Sequence, residues 1–305
     1  MVERLLLMPG NDTELNHALE QQGAVITQGA SDAHGFILHR APARHQLETA
    51  LEQNPKVAWV QLPSAGVEKY QGLIEEHPHV EWTSAKGAYA KPVGEHGLAL
   101  TLAVLRQFKD RSLATSWGRR SGSTLNGRSC VVIGAGGVAA ELVRLYKMFD
   151  THVTVVRRTA ENFNGADETV TFDQLDEVLQ RGQVVAVAAA ATPLTRYMIG
   201  TAQLEQLPAE AVVVNVARGS IIDHGALLDA LTHGRIFGAG LDVTDPEPLP
   251  EGHPLWSLPN CLVTPHTADT PEIIRPLLRE RIVENFVRIK RGDTPIGQVD
   301  IHHGY

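Results

Sequence analysis

The sequence predicts an α/β protein built from two doubly wound parallel-sheet domains. Three observations support this prediction. Short apolar runs alternate with amphipathic helical patterns along most of the chain, a glycine-rich turn joins one such run to a helix, and polar residues follow several later runs. Strands that alternate with helices pair in parallel, because a parallel pair needs a long crossover connection. A chain of 305 residues is long enough for two domains, each with its own core.

The composition is that of a folded protein, with 43% hydrophobic and 20% charged residues and a formal net charge of -8. A negative chain lacks the basic face that binds nucleic-acid phosphates, so we expect no nucleic-acid partner. No apolar run approaches the roughly 20 residues that cross a bilayer, and the first residues do not resemble a secretory leader. Cys130 and Cys261 lie in apolar, strand-like runs, which favours buried, reduced thiols over a disulfide. We therefore predict a cytoplasmic protein without a membrane partner.

The first hundred residues predict a small parallel-sheet domain, because strand-like runs are separated by helical patterns. The predicted strands are residues 4–8, 24–27, 35–38 and 58–62. The predicted helices between them are residues 14–22 and 45–53. A long apolar helix over 95–108 then leads into the second domain.

The second domain repeats the alternation from residue 130 onward. The predicted strands are residues 130–133, 152–156, 184–189, 211–216, 239–243 and 262–264. The predicted helices are residues 139–149, 172–180 and 225–233. A closing helix over 272–291 is expected to pack on the first domain. The predicted domains are therefore residues 1–94 with 272–305, and residues 95–271.

The strongest local signal is the run VVIGAGGVAA at residues 131–140, where a strand enters the pattern G-x-G-x-x-A and a helix begins at once. Gly134 allows a tight turn, Gly136 allows the backbone to approach a pyrophosphate, and Ala139 keeps the helix close to the strand. Such a turn can be purely structural, but in this context it predicts a Rossmann-type dinucleotide site. The predicted cofactor contacts in the turn are Gly134, Gly136, Gly137 and Val138.

The next predicted strand ends in Arg157, Arg158 and Thr159. Sites for NAD usually place a carboxylate at this point for the ribose hydroxyls, and none stands at this strand end. Two guanidinium groups and a hydroxyl suit a 2′-phosphate, although they could also be a solvated surface pair. We therefore predict that all three residues contact the cofactor and that NADP(H) is preferred over NAD(H).

Three later stretches place polar residues where a strand ends: Arg218, the acidic loop from Asp242 to Glu247, and His266. The carboxyl ends of parallel strands form the ligand-facing edge of a sheet, so these residues are predicted to meet. A guanidinium can hold a carboxylate and polarise a carbonyl, an imidazole can donate a proton, and a carboxylate beside it favours the protonated ring. Each residue alone could be a surface or structural group, and Asp245 competes with Glu247 for the acidic role.

The sequence resembles the D-isomer-specific 2-hydroxyacid dehydrogenases. The resemblance rests on four motifs in a fixed order: the glycine loop, the arginine, the segment Asp-Val-x-x-x-Glu-Pro and the pair Pro-His. This family includes glyoxylate/hydroxypyruvate reductases, D-lactate dehydrogenases and phosphoglycerate dehydrogenases. The resemblance extends from the loop at 64–67 to the closing helix. The catalytic residues that it implies are Arg218, Glu247 and His266. The further cofactor contacts that it implies are Ala217 and Asp242.

The resemblance also implies an activity and an assembly. The activity is hydride transfer between NAD(P)H and a small 2-oxo acid, with glyoxylate or hydroxypyruvate as the leading substrates and no metal. The Rossmann-type domain is inserted in a flavodoxin-like substrate domain, whose backbone at Ala65 and Gly66 binds the substrate carboxylate together with Arg218. A homodimer is implied through an arm near residues 95–125.

Two other functions remain open from the sequence: a dehydrogenase for a bulkier D-2-hydroxy acid, and a catalytically silent protein that senses NAD(P). A sensor would bind the cofactor without turnover, and it would have no need for the proton donor His266. Two departures from the family pattern, at residues 189–192 and at Thr244, concern cofactor affinity and pocket shape rather than proton transfer.

Overall fold

Two parallel sheets organise the chain in the computed structural model. The structure describes residues 2–40, 44–118 and 120–300. The remaining positions of the predicted domain ranges lie outside the described residues. The chain divides into two units, Met1–Tyr89 with Pro271–Tyr305, and Ala90–Thr270. Every strand pair in both sheets is parallel, which confirms the predicted fold class.

The first unit is built on a five-stranded sheet with the order β2-β1-β3-β4-β5. Its strands are β1 (Arg4–Met8), β2 (Val25–Ile26), β3 (Gly35–Leu38), β4 (Trp59–Gln61) and β5 (Glu81–Thr83). Its first helices are α1 (Thr13–Gln21), α2 (Arg44–Gln53) and α3 (Gln71–Glu76). The sequence did not predict α3 and β5, because both are short and neither shows a clear apolar period.

The second unit contains a seven-stranded sheet with the order β12-β11-β10-β9-β6-β7-β8. Its strands are β6 (Ser129–Ile133), β7 (His152–Arg157), β8 (Glu168–Thr171), β9 (Val184–Val187), β10 (Val212–Asn215), β11 (Gly238–Leu241) and β12 (Cys261–Val263). Its helices are α4 (Ala90–Leu105), α5 (Phe108–Ser112), α6 (Gly137–Lys147), α7 (Leu175–Leu179), α8 (Thr201–Gln206), α9 (His224–Thr232) and α10 (Pro254–Ser257). The edge strand β8 was not predicted, because Glu168 and two threonines interrupt its apolar character.

The sheet of the second unit is buried on both faces. In β6, Val131 and Ile133 belong to one hydrophobic cluster, whereas Cys130 and Val132 belong to another. Successive side chains of a strand point to opposite faces, so helices must cover both sides of this sheet. This arrangement explains why the strand sequences read as continuous apolar runs, as a doubly wound sheet requires.

Helix α4 opens the second unit and begins before the predicted range 95–108. Its close packing against α6 depends on two glycines. A Cβ atom on Gly94 would lie 2.6 Å from Cγ of Glu141, and one on Gly97 would lie 2.9 Å from Cδ2 of Leu142. The predicted domain boundary between residues 94 and 95 therefore falls inside this helix.

After the second unit the chain completes the first with α11 (Pro271–Arg291). Asn285 of this helix is fully buried, and its Nδ2 donates to Oε1 of Gln61 (2.8 Å) and to the carbonyl oxygen of Ile296 (2.9 Å). The closing helix thus packs on the first unit, as the sequence predicted.

Both cysteines are free and buried, as the sequence indicated. Burial raises the pKa of Cys130 and of Cys261 to about 12, so neither thiol ionises near neutral pH. Among the described residues, no helix combines the length and the apolar character needed to cross a membrane.

Candidate active site

The glycine turn after β6 is fixed by backbone geometry. Gly134 has φ = +118°, and a Cβ atom there would lie 2.5 Å from the carbonyl oxygen of Ala188. Its N–H donates to the carbonyl oxygen of Val156 (2.8 Å). Only glycine satisfies both the positive φ and this close approach of the chain after β9.

Gly136 occupies a different environment, directly before α6. A Cβ atom on Gly136 would meet no heavy atom within 4 Å, and Ala139 behind it is fully buried. In the described part of the chain, no side chain caps the first turn of α6. The N–H groups of this turn are therefore available to an anion, so the loop fits the pyrophosphate of a dinucleotide.

The end of β7 carries the two arginines that the sequence singled out. Arg157 is half-buried, and its guanidinium contacts the carboxylate of Glu161 (Nη2 to Oε2, 3.2 Å). Arg158 and Thr159 are exposed. Glu161 is not among the predicted site residues, and it binds one of the two guanidinium groups that are expected to meet a 2′-phosphate.

A buried amide positions Arg218 after β10. Asn215 is fully buried; its Nδ2 donates to the carbonyl oxygen of Arg218 (2.9 Å), and its Oδ1 accepts from the N–H of Ala217 (3.0 Å). Nη1 of Arg218 also donates to the carbonyl oxygen of Ala217 (2.7 Å). Asn215 is not among the predicted site residues, although a polar residue at the end of an apolar strand is a visible signal.

Gly219 joins the loop after β10 to the loop after β11. A Cβ atom on Gly219 would lie 2.0 Å from both the carbonyl carbon and the carbonyl oxygen of Thr244. The two loops therefore touch through backbone atoms, with no space for a side chain. This contact fixes the position of Arg218 relative to the acidic loop, and Gly219 is not among the predicted site residues.

Asp242, just after β11, organises the loop that carries the candidate histidine. Its Oδ1 accepts from Oγ1 of Thr264 (2.6 Å) and from the N–H of Thr267 (2.9 Å), and its Oδ2 accepts from the N–H of Ala268 (3.1 Å). His96 of α4 places its Nε2 3.2 Å from Oδ1 of Asp242 and 2.9 Å from Oγ1 of Thr264. The carboxylate is therefore almost filled by protein donors, a structural role beyond the predicted contact with the cofactor.

Burial raises the pKa of Asp242, but hydrogen bonds from His96, Thr264 and the N–H groups of Thr267 and Ala268 outweigh this effect. They lower the pKa from 3.8 to about 2. Asp242 therefore remains ionised over the physiological range.

This lowered pKa predicts a dependence of stability on pH. The shift corresponds to about 2 kcal/mol of unfolding free energy, which is present above pH ~4 and lost as the pH falls towards 2. In urea unfolding from pH 6 to 3, the stability difference between wild type and Asp242→Asn should shrink as the pH decreases. The exposed carboxylate of Asp229 provides a matched control, Asp229→Asn. A constant difference for Asp242→Asn across this range would contradict the prediction.

His266 follows β12 in a left-handed backbone conformation, with φ = +52°. This conformation is uncommon for a residue other than glycine, and it is held by the N–H of His266, which donates to the carbonyl oxygens of Asp242 (2.8 Å) and Thr264 (2.9 Å). The same interactions that order the loop therefore orient the imidazole.

The ring of His266 pairs with Glu247, with 2.7 Å between Nδ1 and Oε1. A carboxylate can only accept, so Nδ1 carries the hydrogen and Nε2 remains available to a ligand. The two side chains are 39% and 43% exposed, so the pair is open to solvent. Asp245 is not the partner of this histidine; it accepts from Oη of Tyr197 (3.3 Å).

The second unit thus brings together most of the predicted site residues at the carboxyl ends of its strands. The glycine loop follows β6, Arg218 follows β10, Asp242 follows β11 and His266 follows β12. A guanidinium, an imidazole with a fixed tautomer and an anion-binding turn can together bind an acid, transfer a proton and hold a dinucleotide.

Ala65 and Gly66 belong to the first unit, in the loop after β4. Ser64 shapes this loop, because its Oγ donates to the carbonyl oxygen of Gly66 (2.6 Å). Ala65 is exposed and Gly66 is half-buried, so the backbone of the loop is accessible. Their role in substrate binding stays a prediction.

Comparison with known proteins adds independent information. Residues 98–268 match the model of the D-isomer specific 2-hydroxyacid dehydrogenase NAD binding domain. A glyoxylate reductase of Korarchaeum cryptofilum is 30% identical over 225 residues, which cover 70% of this chain and 67% of the relative. A glyoxylate/hydroxypyruvate reductase A of Photorhabdus laumondii is 31% identical over 214 residues, covering 69% of this chain and 68% of the relative.

Among solved structures, a D-isomer specific 2-hydroxyacid dehydrogenase from Xanthobacter autotrophicus, in complex with NADPH and MES, has a similar fold. The TM-score is 0.85 at 26% identity, and the alignment covers 100% of both chains.

Proposed function

Because the chain belongs to the NAD(P)-dependent D-isomer-specific 2-hydroxyacid dehydrogenases, we propose that it reduces glyoxylate or hydroxypyruvate to the corresponding 2-hydroxy acid. The contact of 2.7 Å between Nδ1 of His266 and Oε1 of Glu247 carries this proposal. It leaves Nε2 as a proton donor on an exposed ring, at the same sheet edge as Arg218. The relatives that are named for these two substrates support the choice of substrate.

His266 donates the proton from Nε2 to the oxygen of the substrate carbonyl as that oxygen becomes an alkoxide. Glu247 holds the ring through Nδ1 and compensates the charge of the imidazolium. Arg218 binds the carboxylate of the 2-oxo acid and polarises the carbonyl beside it. The backbone of Ala65 and Gly66 contributes further donors to the same carboxylate.

The residues that would hold the cofactor are the turn Gly134, Gly136, Gly137 and Val138, together with Arg157, Arg158, Thr159, Ala217 and Asp242. When bound, the nicotinamide supplies the hydride, so the protein's own task is placement and proton transfer. In this proposal the unit Ala90–Thr270 binds the dinucleotide, as predicted for residues 95–271. The unit Met1–Tyr89 with Pro271–Tyr305 is the substrate domain, as predicted for residues 1–94 with 272–305.

The proposed function is tested by assaying the purified protein with a panel of small 2-oxo acids, each with NADPH and with NADH. The panel should include bulkier acids such as phenylpyruvate beside glyoxylate and hydroxypyruvate. Highest kcat/KM for the two small acids supports the proposal. A clear preference for a bulky acid overturns the substrate, and tight cofactor binding without turnover of any acid would favour a sensor.

We predict at least tenfold higher kcat/KM for NADPH than for NADH, because charged hydrogen bonds to a 2′-phosphate are strong. Arg158→Ala should lower the ratio of the two values by about ten- to a hundredfold. Arg235 is exposed and distant in sequence, so Arg235→Ala serves as the matched control. Equal or higher efficiency with NADH in the wild type would contradict this cofactor preference.

A homodimer is also part of the proposal. Three large apolar side chains are exposed in the arm near residues 95–125: Phe108 (58%), Leu113 (77%) and Trp117 (99%). Exposed apolar patches of this kind often mark contacts between proteins. A solution mass measurement by light scattering that gives a single chain would overturn the dimer.

We place the reaction in the cytoplasm, which suits two reduced, buried thiols and a nicotinamide cofactor. Cell fractionation with an antibody against the native protein tests this location. Recovery in an exported fraction would contradict it.

A further inference from the structure

A second carboxylate lies beside the imidazole of His266. Oδ1 of Asp269 is 3.9 Å from Nε2 of His266, whereas Oε1 of Glu247 is 2.7 Å from Nδ1. The ring is therefore flanked by one carboxylate at each nitrogen. The distance to Asp269 is too long for a hydrogen bond, so Nε2 remains free to meet a substrate atom.

The carboxylate of Asp269 has unused capacity to accept hydrogen bonds. Its side chain is 33% exposed, and no donor of another described residue lies within hydrogen-bond distance of its carboxylate. Burial raises the pKa of Asp269, and the charge of Asp242 adds to this, while the charges of His266 and Arg218 act against it. A partly desolvated carboxylate with open acceptor sites gains from a ligand that donates a hydrogen bond.

Asp269 lies on the side of the His266 ring that is proposed to meet the substrate, because its Oδ1 is 3.9 Å from Nε2. Both Arg218 and His266 act on it electrostatically, and these two residues are proposed to hold the two ends of the 2-oxo acid unit. If the substrate carboxylate binds Arg218 and the carbonyl oxygen binds Nε2 of His266, a substituent of the carbonyl carbon is within reach of Asp269, whose Oδ1 is 3.9 Å from that nitrogen. A hydroxyl group on that substituent can donate to the carboxylate, whereas a second anion there is repelled.

We propose that Asp269 contacts the substrate and determines specificity, favouring 2-oxo acids with a hydroxyl on carbon 3 and rejecting those with an anionic group there. This proposal rests on the proposed function, the reduction of small 2-oxo acids. Three acids distinguish the chemistry. Hydroxypyruvate carries the hydroxyl, glyoxylate has no carbon 3, and oxaloacetate carries a carboxylate at that carbon.

The test compares kcat/KM for these three acids in the wild type, in Asp269→Asn and in Asp269→Ala. The ratio of hydroxypyruvate to glyoxylate should fall about tenfold or more in Asp269→Ala, because a charged hydrogen bond is lost. It should fall less in Asp269→Asn, whose amide oxygen still accepts. The ratio of oxaloacetate to glyoxylate should rise about tenfold in both variants, because a like charge is removed. A merely structural role would change all three acids alike and leave both ratios unchanged.

Asp229→Asn removes an exposed carboxylate of the same unit and serves as the charge control. Circular dichroism and cofactor binding verify the fold of each variant. Asp269→Asn and Asp269→Ala each give their own values of the two acid ratios, so the test does not depend on one variant folding. If both acid ratios stay within twofold of the wild type, Asp269 does not determine specificity, and this proposal is overturned alone. If the wild-type protein reduces none of the acids, the proposed function fails first and this proposal fails with it.

Discussion

Replacing His266 with alanine is expected to lower kcat by about two to four orders of magnitude, because the substrate oxygen loses its proton donor. Nδ1 of His266 lies 2.7 Å from Oε1 of Glu247, and the backbone N–H of His266 donates to two carbonyl oxygens, so both the ring and the loop that carries it are held in place. Steady-state kinetics with NADPH and the best small 2-oxo acid measures the effect. The affinity for the cofactor, measured by fluorescence, should change little, because His266 is proposed to donate the proton and not to contact the dinucleotide.

Two companion variants sharpen this prediction. Glu247→Gln keeps an acceptor for Nδ1 but removes the charge, so we expect an intermediate loss of about ten- to a hundredfold. His233 is an exposed histidine of the same unit, so His233→Ala provides the matched control. A kcat near the wild-type value in His266→Ala would show that this residue does not donate the proton. A kcat near the wild-type value in Glu247→Gln would show that the charge of Glu247 does not assist His266.

The second large effect is expected from Gly219→Ala. The added Cβ atom would lie 2.0 Å from the carbonyl carbon and oxygen of Thr244, and backbone atoms cannot rotate away as a long side chain can. One of the two loops must therefore move by more than 1 Å, which we expect to cost about 3 kcal/mol of unfolding free energy. The movement also separates Arg218 from the loop of Glu247, so kcat/KM should fall about a hundredfold.

Urea unfolding and steady-state kinetics together test this variant. Gly72 lies on α3, and a Cβ atom there would meet nothing within 4 Å, so Gly72→Ala is the control that adds the same methyl group without a clash. Ordinary surface substitutions change the unfolding free energy by about ±0.5 kcal/mol. If Gly219→Ala stays within about that range of the wild type and keeps an activity close to wild type, the two loops are not in fixed contact.

The fold was largely readable from the sequence, because most elements have a strong apolar period. Strands β1 and β3 begin and end where the sequence predicted. In the second unit, the ends of the predicted strands differ from the observed ends by only one or two residues. The elements that the sequence did not predict, among them α3, β5 and β8, lack a clear apolar period. Strand β8 lies at the edge of its sheet and carries Glu168 and threonines, so its pairing with β7 rather than its own residues makes it a strand.

The proposed cofactor preference shows a second limit. The sequence placed two arginines and no carboxylate at the end of β7, but Glu161 folds back and pairs with Arg157. A residue four positions further along a loop is not distinguishable from solvated surface in the sequence.

By itself the sequence determined the alternation of strands and helices and the glycine turn, and it indicated Arg218, His266 and an acidic residue between Asp242 and Glu247 as candidates. Apolar periodicity and short motifs are local properties of the chain. Only the tertiary structure decided that Glu247, and not Asp245, pairs with His266. It also decided that Asp242 is bonded by His96 and Thr264, and that Asp269 stands at the other ring nitrogen. These contacts join separate strand ends, and which oxygen lies nearest to which nitrogen depends on how the loops pack against each other. The spacing of residues along the chain does not contain that information.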